Sequence, residues 1–483
     1  MASHDPYLIP YLLSALDVAV SLLASGHVIL SKRDTRAAIG WIGLIWLSPL
    51  VGTVLYWLLG INRISRKARS LRRDQPLPPQ KSAGIEQPPT QPGGGLTTEM
   101  AHLEGLGELV GRVTRQPLLP GNRIEPLVDG DVAYPSMVRA IDEATRSVAL
   151  STYIFNDDPA GAFFIDALRR AVARGVGVRV LVDDIGSRYD LPSIIGPLRR
   201  AGVPVARFLP TLAPGWMPYL NPRNHRKILV VDGHMGFTGG LNIAADYFHR
   251  LGPKWPKQDL HFRMEGPVVA HLRETFADDW AFCTGELLAG EDWFPPLAAA
   301  GDVLARGIAD GPDEDLGRLH LTLLGALANA RSSVTVVTPY FVPDLALISA
   351  LNVAAMRGIR VDILLPEENN LRMVQWASTA LLWQVLERGC RIWASPPPFD
   401  HTKLLIVDGI WAMVGSANWD ARSLRLNFEF NVECYGRRLA GSLEDLARER
   451  ICRARPISLE DVDGRALPTK LRDGVARLLT PFL

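Results

Sequence analysis

Two long apolar stretches open the chain. Between Tyr7 and Leu30 the only formally charged side chain is Asp17, and between Ala37 and Ile61 there is none. Each stretch is long enough, as a helix, to cross about 30 Å of hydrocarbon. Residues 1–62 are therefore expected to form a transmembrane helical hairpin with spans at about 8–30 and 37–61. A secretory signal peptide is the rival reading of the first stretch, but it lacks a basic leading region and runs straight into a second apolar segment. The bend holds Lys32, Arg33 and Arg36; beyond the second stretch come Arg63, Arg66, Lys67, Arg69, Arg72 and Arg73. The positive-inside rule puts the larger cluster, and the chain after it, on the cytoplasmic side, with the basic bend opposing. The same six residues could also attract anionic headgroups. Asp17 lies near the entrance to its span, as a snorkelling or protonated carboxylate.

The pattern then changes twice. QPLPPQKSAGIEQPPTQPGGG, rich in Pro, Gln and Gly, has almost no apolar periodicity and reads as a tether, so 63–107 is taken as linker. The remainder repeats. SVALSTYIF (Ser147 to Phe155), a helix-like stretch and VGVRVLVDD (Val176 to Asp184) recur as SVTVVTPYF (Ser333 to Phe341), a helix-like stretch and IRVDILLPE (Ile359 to Glu367). Strands alternating with helices of this length predict βαβ units. The expected fold class is α/β, with two pseudo-twofold-related halves, 108–298 and 299–483, of mainly parallel β-sheet flanked by helices. Equivalent loops of two such halves would meet at one cleft.

Each half carries one HxKxxxxD motif. HRKILVVDGHMGFTGGLN runs from His225 to Asn242, and HTKLLIVDGIWAMVGSAN from His401 to Asn418. Residues two apart on a strand share a face, so His225 with Lys227, and His401 with Lys403, should project together. Asp232-Gly233 and Asp408-Gly409 look like tight hairpin turns that return Asn242 and Asn418 towards the histidines. The two aspartates are thus expected to support the architecture more than the chemistry.

Two His, two Lys and two Asn converging on one point suit a tetrahedral phosphodiester. The lysines supply charge and the Asn amides supply donors to the phosphoryl oxygens. One His attacks phosphorus while the other protonates the departing alcohol; a second alcohol, deprotonated by that same His, then releases the phosphohistidine. This route calls for no metal or other cofactor. A nucleophilic His also needs its second ring nitrogen oriented, usually by a carboxylate. Asp259 in KQDLHF and Glu429 in LNFEF are the candidates.

Charge narrows the substrate. Lys and Arg (52) nearly balance Asp and Glu (51), so the chain lacks the basic field that drives nonspecific nucleic-acid binding, and no nucleic-acid partner is expected. The four cysteines, Cys283, Cys390, Cys434 and Cys452, form no metal-ligand spacing and are expected to be reduced. The loop Ala213 to Pro222 brings Trp216, Met217 and Tyr219 just ahead of His225, to touch acyl chains or to pack on the body. Leu467 to Leu483 mixes basic and apolar residues, either as an interfacial helix or as an ordinary docked one.

These motifs resemble the phospholipase D superfamily. RNHRK (Arg223 to Lys227), GGLNI (Gly239 to Ile243), EGP (Glu265 to Pro267), TPYFVPD (Thr338 to Asp344), GSANWDARSLRLNFE (Gly415 to Glu429) and SPLVGTVLYWLLG in the second apolar stretch resemble the bacterial cardiolipin synthases. The resemblance implies a multi-pass enzyme of the bacterial cytoplasmic membrane that joins two phosphatidylglycerol molecules into cardiolipin and releases glycerol. It gives the nucleophile to His225 and the acid/base role to His401. One departure is Gly240, where the second copy has Ser416, so the first half lacks a hydroxyl donor. A phospholipase D-type hydrolase would share every catalytic residue and differ only in admitting water.

Overall fold

The computed structural model describes residues 8–32, 35–60, 96–189, 192–210, 223–312 and 317–480. It divides into two compact units, Met1–Ser70 and Leu71–Leu483.

In the first unit the helix Leu8–Ser31 is long and apolar enough to cross a membrane. The second apolar stretch, expected as one span over 37–61, is broken at Ser48 into the helix Thr35–Leu47 and the helix Pro49–Leu55, which runs on as a π-helical turn over Tyr56–Gly60. Pro49 is the reason. It has no N–H to continue the ladder and its ring clashes with the preceding turn, so Ser48 leaves the helical region at φ −149° and ψ 77°. Polar side chains pair inside the unit: Trp46 Nε1 donates to Ser25 Oγ at 3.1 Å, and His27 Nδ1 lies 2.7 Å from the Tyr56 hydroxyl. Arg33, the basic cluster from Arg63 to Arg73 and the Pro-rich tether lie outside the described residues, as does the Arg36 side chain.

The second unit is built on one mixed sheet of 15 strands. The unit has 19 strands among the described residues, four of which are short and lie outside that sheet as two pairs. The first eight are β1 Leu119–Val128, β2 Ser147–Thr152, β3 Gly177–Asp183, β4 Val205–Phe208, β5 Ile228–Val231, β6 Met235–Gly239, the short β7 Lys257–Gln258 and β8 Leu260–Glu265. Then come β9 Val303–Asp310, β10 Ser333–Val337, the short β11 Phe341–Val342, β12 Arg360–Pro366, β13 Arg391–Ser395 and the short β14 Phe399–Asp400. β15 Leu404–Val407, β16 Trp411–Gly415, the short β17 Trp419–Asp420, β18 Glu429–Tyr435 and β19 Arg455–Ile457 complete the set. The pairs outside the sheet are β7–β14 and β11–β17. From the centre outwards the order is β1-β8-β6-β5-β2-β3-β4 on one side and β9-β18-β16-β15-β10-β12-β13 on the other, with β19 at the far edge. The repeated sequence strings occupy matching places in the two runs.

The sheet is not mainly parallel. Within it, parallel pairing among the described residues is confined to β2–β3–β4 and β10–β12–β13, and the other neighbours are antiparallel. The cause is connection length. The helices Pro159–Ala173 and Leu345–Met356 lie between the first strands of each parallel set, whereas the motif strands β5 and β15 turn back within three residues. The described part of the N-terminal approach also differs from a tether: Glu104–Thr114 is a helix whose Leu106 and Val110 share a core with Leu319 and Leu323 of the helix Arg318–Asn329. The residues on either side of position 107 therefore pack with the second half of the sequence.

Candidate active site

Each motif strand begins against the opposite half. The His225 amide donates to the Phe428 carbonyl at 2.9 Å, and the His401 amide to the Gln258 carbonyl at 2.8 Å. Both acceptors stand one residue before an acid. Consequently the carboxylates cross over: His225 Nδ1 lies 2.9 Å from Glu429 Oε2, and His401 Nδ1 lies 2.8 Å from Asp259 Oδ2. Strand register makes the two acids equivalent, since Gly239 faces His261 and Gly415 faces Asn431. Each pairing occupies Nδ1 and leaves Nε2 as the nitrogen for chemistry.

The lysines are held alike. Lys227 Nζ donates to the His225 carbonyl at 2.7 Å, and Lys403 Nζ to the His401 carbonyl. All four side chains are buried, and the lysines repel both histidines electrostatically. Burial pushes His225 down to about 4 and His401 well below its ordinary value, so both rings are neutral near pH 7. A neutral imidazole keeps the lone pair that attack on phosphorus needs.

Burial also pushes Lys227 down to about 7 and Lys403 to about 8. A site that holds an anion with these cations must lose affinity as pH rises and the protons leave. Tungstate binding, followed by calorimetry, should therefore weaken about tenfold or more between about pH 6 and about pH 9. Affinity independent of pH would remove the lysines from the phosphate contacts.

The two carboxylates are unequal. Burial alone would raise Glu429, but His225, Lys227 and the Ser416 hydroxyl hold it below its ordinary value. Ser416 Oγ donates to Glu429 Oε2 at 2.5 Å and Asn427 Nδ2 to Oε1 at 3.1 Å. Asp259 is pushed by burial up to about 8, with a donor from the Leu260 amide at 2.7 Å. The glycine noted in the first motif explains the missing hydroxyl. A Cβ at Gly240 would stand 2.2 Å from Asp259 Oδ1, because the shorter aspartate reaches its histidine through the space a side chain would fill. Gly240→Ala should leave the chain folded and lower turnover about ten- to a hundredfold by displacing Asp259. Undiminished turnover would show that this space does not set the carboxylate's position.

The remaining candidates separate. Asn242 Oδ1 accepts from the Ile154 amide at 3.3 Å, whereas Asn418 Oδ1 is buried with no partner among the described residues. Asp232 and Asp408 lie at the other end of their strands, five residues or about 16 Å from the lysines. Asp232 accepts from the amides of Thr145, Arg146 and Ser147 at 2.8 to 3.2 Å. Asp408 accepts from the amides of Arg331, Ser332 and Ser333 and from His102 Nε2 at 2.9 Å. Their backbones have φ values of 48° and 55°, as the hairpin turns require.

Several neighbours were not singled out from sequence. The Tyr153 ring stands edge-on 5.0 Å from His225, and the Tyr247 hydroxyl lies 3.3 Å from His401 Nδ1. Arg226, between the first His and Lys, is buried against Asp279 at 2.6 Å and donates to the Glu429 and Asp310 carbonyls at 3.1 and 3.2 Å. It fastens the two motif regions together. Asn427 could have been found, because it stands in the LNFE string two residues before Glu429; the tyrosines carry no comparable signal. The loop with Trp216, Met217 and Tyr219 lies outside the described residues. No group of three or more potential metal ligands occurs among the described residues.

Comparison with known proteins places this geometry. A family model described as "Cardiolipin synthase, PLD-like domain" matches residues 137–280 and 323–450, and one described as "Phospholipase_D-nuclease N-terminal" matches 19–60. Over 488 residues the chain is 32% identical to cardiolipin synthase A of Pseudomonas putida, covering 100% of both chains. It is 29% identical to a cardiolipin synthase of Listeria innocua, covering 99% of this chain and 100% of that one. Among solved structures, the phosphatidylserine synthase of Haemophilus influenzae shares the fold with a TM-score of 0.61 at 15% identity, covering 78% of this chain and all of that one.

Proposed function

The chain belongs to the cardiolipin synthase family, whose matching domain is phospholipase D-like, and on that premise we propose that it joins two phosphatidylglycerol molecules into cardiolipin and glycerol. The observation that carries the mechanism is the crossed pairing of His225 with Glu429 and His401 with Asp259. His225 Nε2 attacks the donor's phosphorus, and the P–O bond to glycerol breaks as neutral His401 passes its Nε2 proton to the departing oxygen and takes the Asp259 carboxyl proton at Nδ1. A hydroxyl of the second phosphatidylglycerol gives its proton back to His401 and attacks the phosphatidyl-histidine. The P–N bond breaks, and cardiolipin forms. Lys227 and Lys403 offset the phosphoryl charge, with Asn242 and Asn418 beside them.

Glu429 supports this division of labour. An ionised carboxylate with donors from Ser416 and Asn427 stabilises positive charge growing on His225 as it bonds to phosphorus. Asp259, raised by burial, can share a proton with His401, as an acid/base pair must. The mirrored strand order supports two halves related by a pseudo-twofold axis. The apolar N-terminal helix supports membrane attachment; a multi-pass anchor with the catalytic body on the cytoplasmic side rests on the sequence's charge pattern. The purified protein in detergent, given phosphatidylglycerol, should yield cardiolipin and glycerol in equal amounts. Phosphatidic acid as the sole phosphatidyl product would identify a hydrolase instead.

A further inference from the structure

The helix Leu467–Leu478 is docked and amphipathic with its apolar side outward. Its inner side meets the helix Arg372–Thr379: Arg472 lies 4.4 Å from the centre of the Trp376 ring, Ala476 is buried, and buried Asp473 is paired with Arg465 and Arg472. The outer side carries Leu467, Leu471, Val475 and Leu478, exposed by 69%, 61%, 61% and 72%. These positions recur at helical spacing and form one stripe. Leu371 and Met373, at the start of the neighbouring helix, are exposed as well. Scattered surface leucines are ordinary; a continuous stripe on a helix already docked by its opposite side is not.

Charge and position say what covers it. The exposed charged side chains of this helix away from its docked side, Lys470 and Arg477, are both positive, and its one acid is buried in an ion pair. An apolar stripe bordered by cations is the pattern of a helix lying at an anionic membrane surface. The pair of helices also borders the site. Asn370, just ahead of Leu371, accepts a hydrogen bond from the Tyr340 hydroxyl at 2.9 Å, and the Tyr340 ring stands 6.3 Å from that of His401.

We propose that the outward stripe Leu467, Leu471, Val475 and Leu478, with Lys470 and Arg477, rests on the anionic bilayer surface and presents the mouth of the site beside His401 to membrane phospholipid. This rests on the reading of the protein as a phospholipid-joining enzyme. A second copy of the chain is the other occupant an apolar stripe would suit, and the experiment separates the two.

The full chain with Cys452→Ser and Leu471→Cys would carry a polarity-sensitive fluorophore at position 471, in vesicles of equimolar phosphatidylcholine and phosphatidylserine. Quenching by a lipid spin-labelled near the headgroup is expected, together with loss of that quenching when Lys470 and Arg477 are replaced by Gln. No lipid quenching would overturn the proposal, as would disulfide-linked pairs forming through position 471 when the same variant is oxidised without the label. Leu471→Asp with Val475→Asp gives a second readout: the ratio of turnover on vesicles to turnover on dispersed short-chain phosphatidylglycerol should fall about tenfold. An unchanged ratio would also overturn it. If the unsubstituted chain forms no cardiolipin from either substrate, the enzymatic reading fails, while the quenching result still decides the surface.

Discussion

Replacing His225 with glutamine should lower cardiolipin formation by about 10,000-fold or more, because it removes the imidazole that bonds phosphorus and leaves His401 in the acid/base role. His401→Gln should cost less, about a hundred- to ten-thousandfold, the range for losing a general acid/base. The leaving group tells the two apart. A phosphatidyl donor ending in p-nitrophenol needs no proton to depart, so it should restore the first step in His401→Gln, read as a burst of nitrophenolate. It should restore nothing in His225→Gln. Rescue of both variants, or of the His225 variant alone, would contradict the assigned roles.

The second large effect is on stability. Asp408→Asn should lower folding stability by about 3 kcal/mol, because a carboxylate that accepts three backbone amides and an imidazole is replaced by an amide whose nitrogen cannot accept. Asp232→Asn should behave alike: the remaining oxygen can still accept from the Arg146 and Ser147 amides, but the nitrogen that replaces Oδ2 cannot accept from the Thr145 amide and hydroxyl. Burial alone would raise both carboxyls, but the backbone donors hold them below their ordinary value. Such depressed acids add stability that is present above the unfolded value near 3.9 and is lost as pH falls through the lower folded value. The Asn variants should therefore melt at lower temperature near neutral pH and show a shallower loss of stability on acidification. Turnover per folded molecule should stay within about tenfold of the unsubstituted chain. A variant that melts normally yet is inactive would move these aspartates into the chemistry.

Much of the site was legible because its signals are local. HxK at strand spacing put His and Lys on one face, and Asp-Gly marked turns whose positive φ values those residues tolerate, at Asp232 with 48° and Asp408 with 55°. That Asp259 and Glu429 would stand beside the motif histidines was legible, but their exchange between halves was not, because it depends on β1 and β9 joining two runs of strands into one sheet. The periodicity of 2 that announces a strand does not carry the direction of its neighbour, which is why βαβ patterning suggested more parallel pairing than the hairpins permit. Pro49 stood in plain view within an apolar stretch read for its length alone. The packing of Leu106 and Val110 against Leu319 and Leu323 joins positions about two hundred residues apart, beyond any window of periodicity.

The covalent step can be observed directly. The full-length protein, mixed with phosphatidylglycerol and quenched within a turnover, should yield by mass spectrometry a peptide carrying one phosphatidyl group on His225, and His401→Gln should accumulate more of it. An adduct on His401, or cardiolipin formed by a chain that never carries a phosphatidyl group, would contradict the two-histidine account.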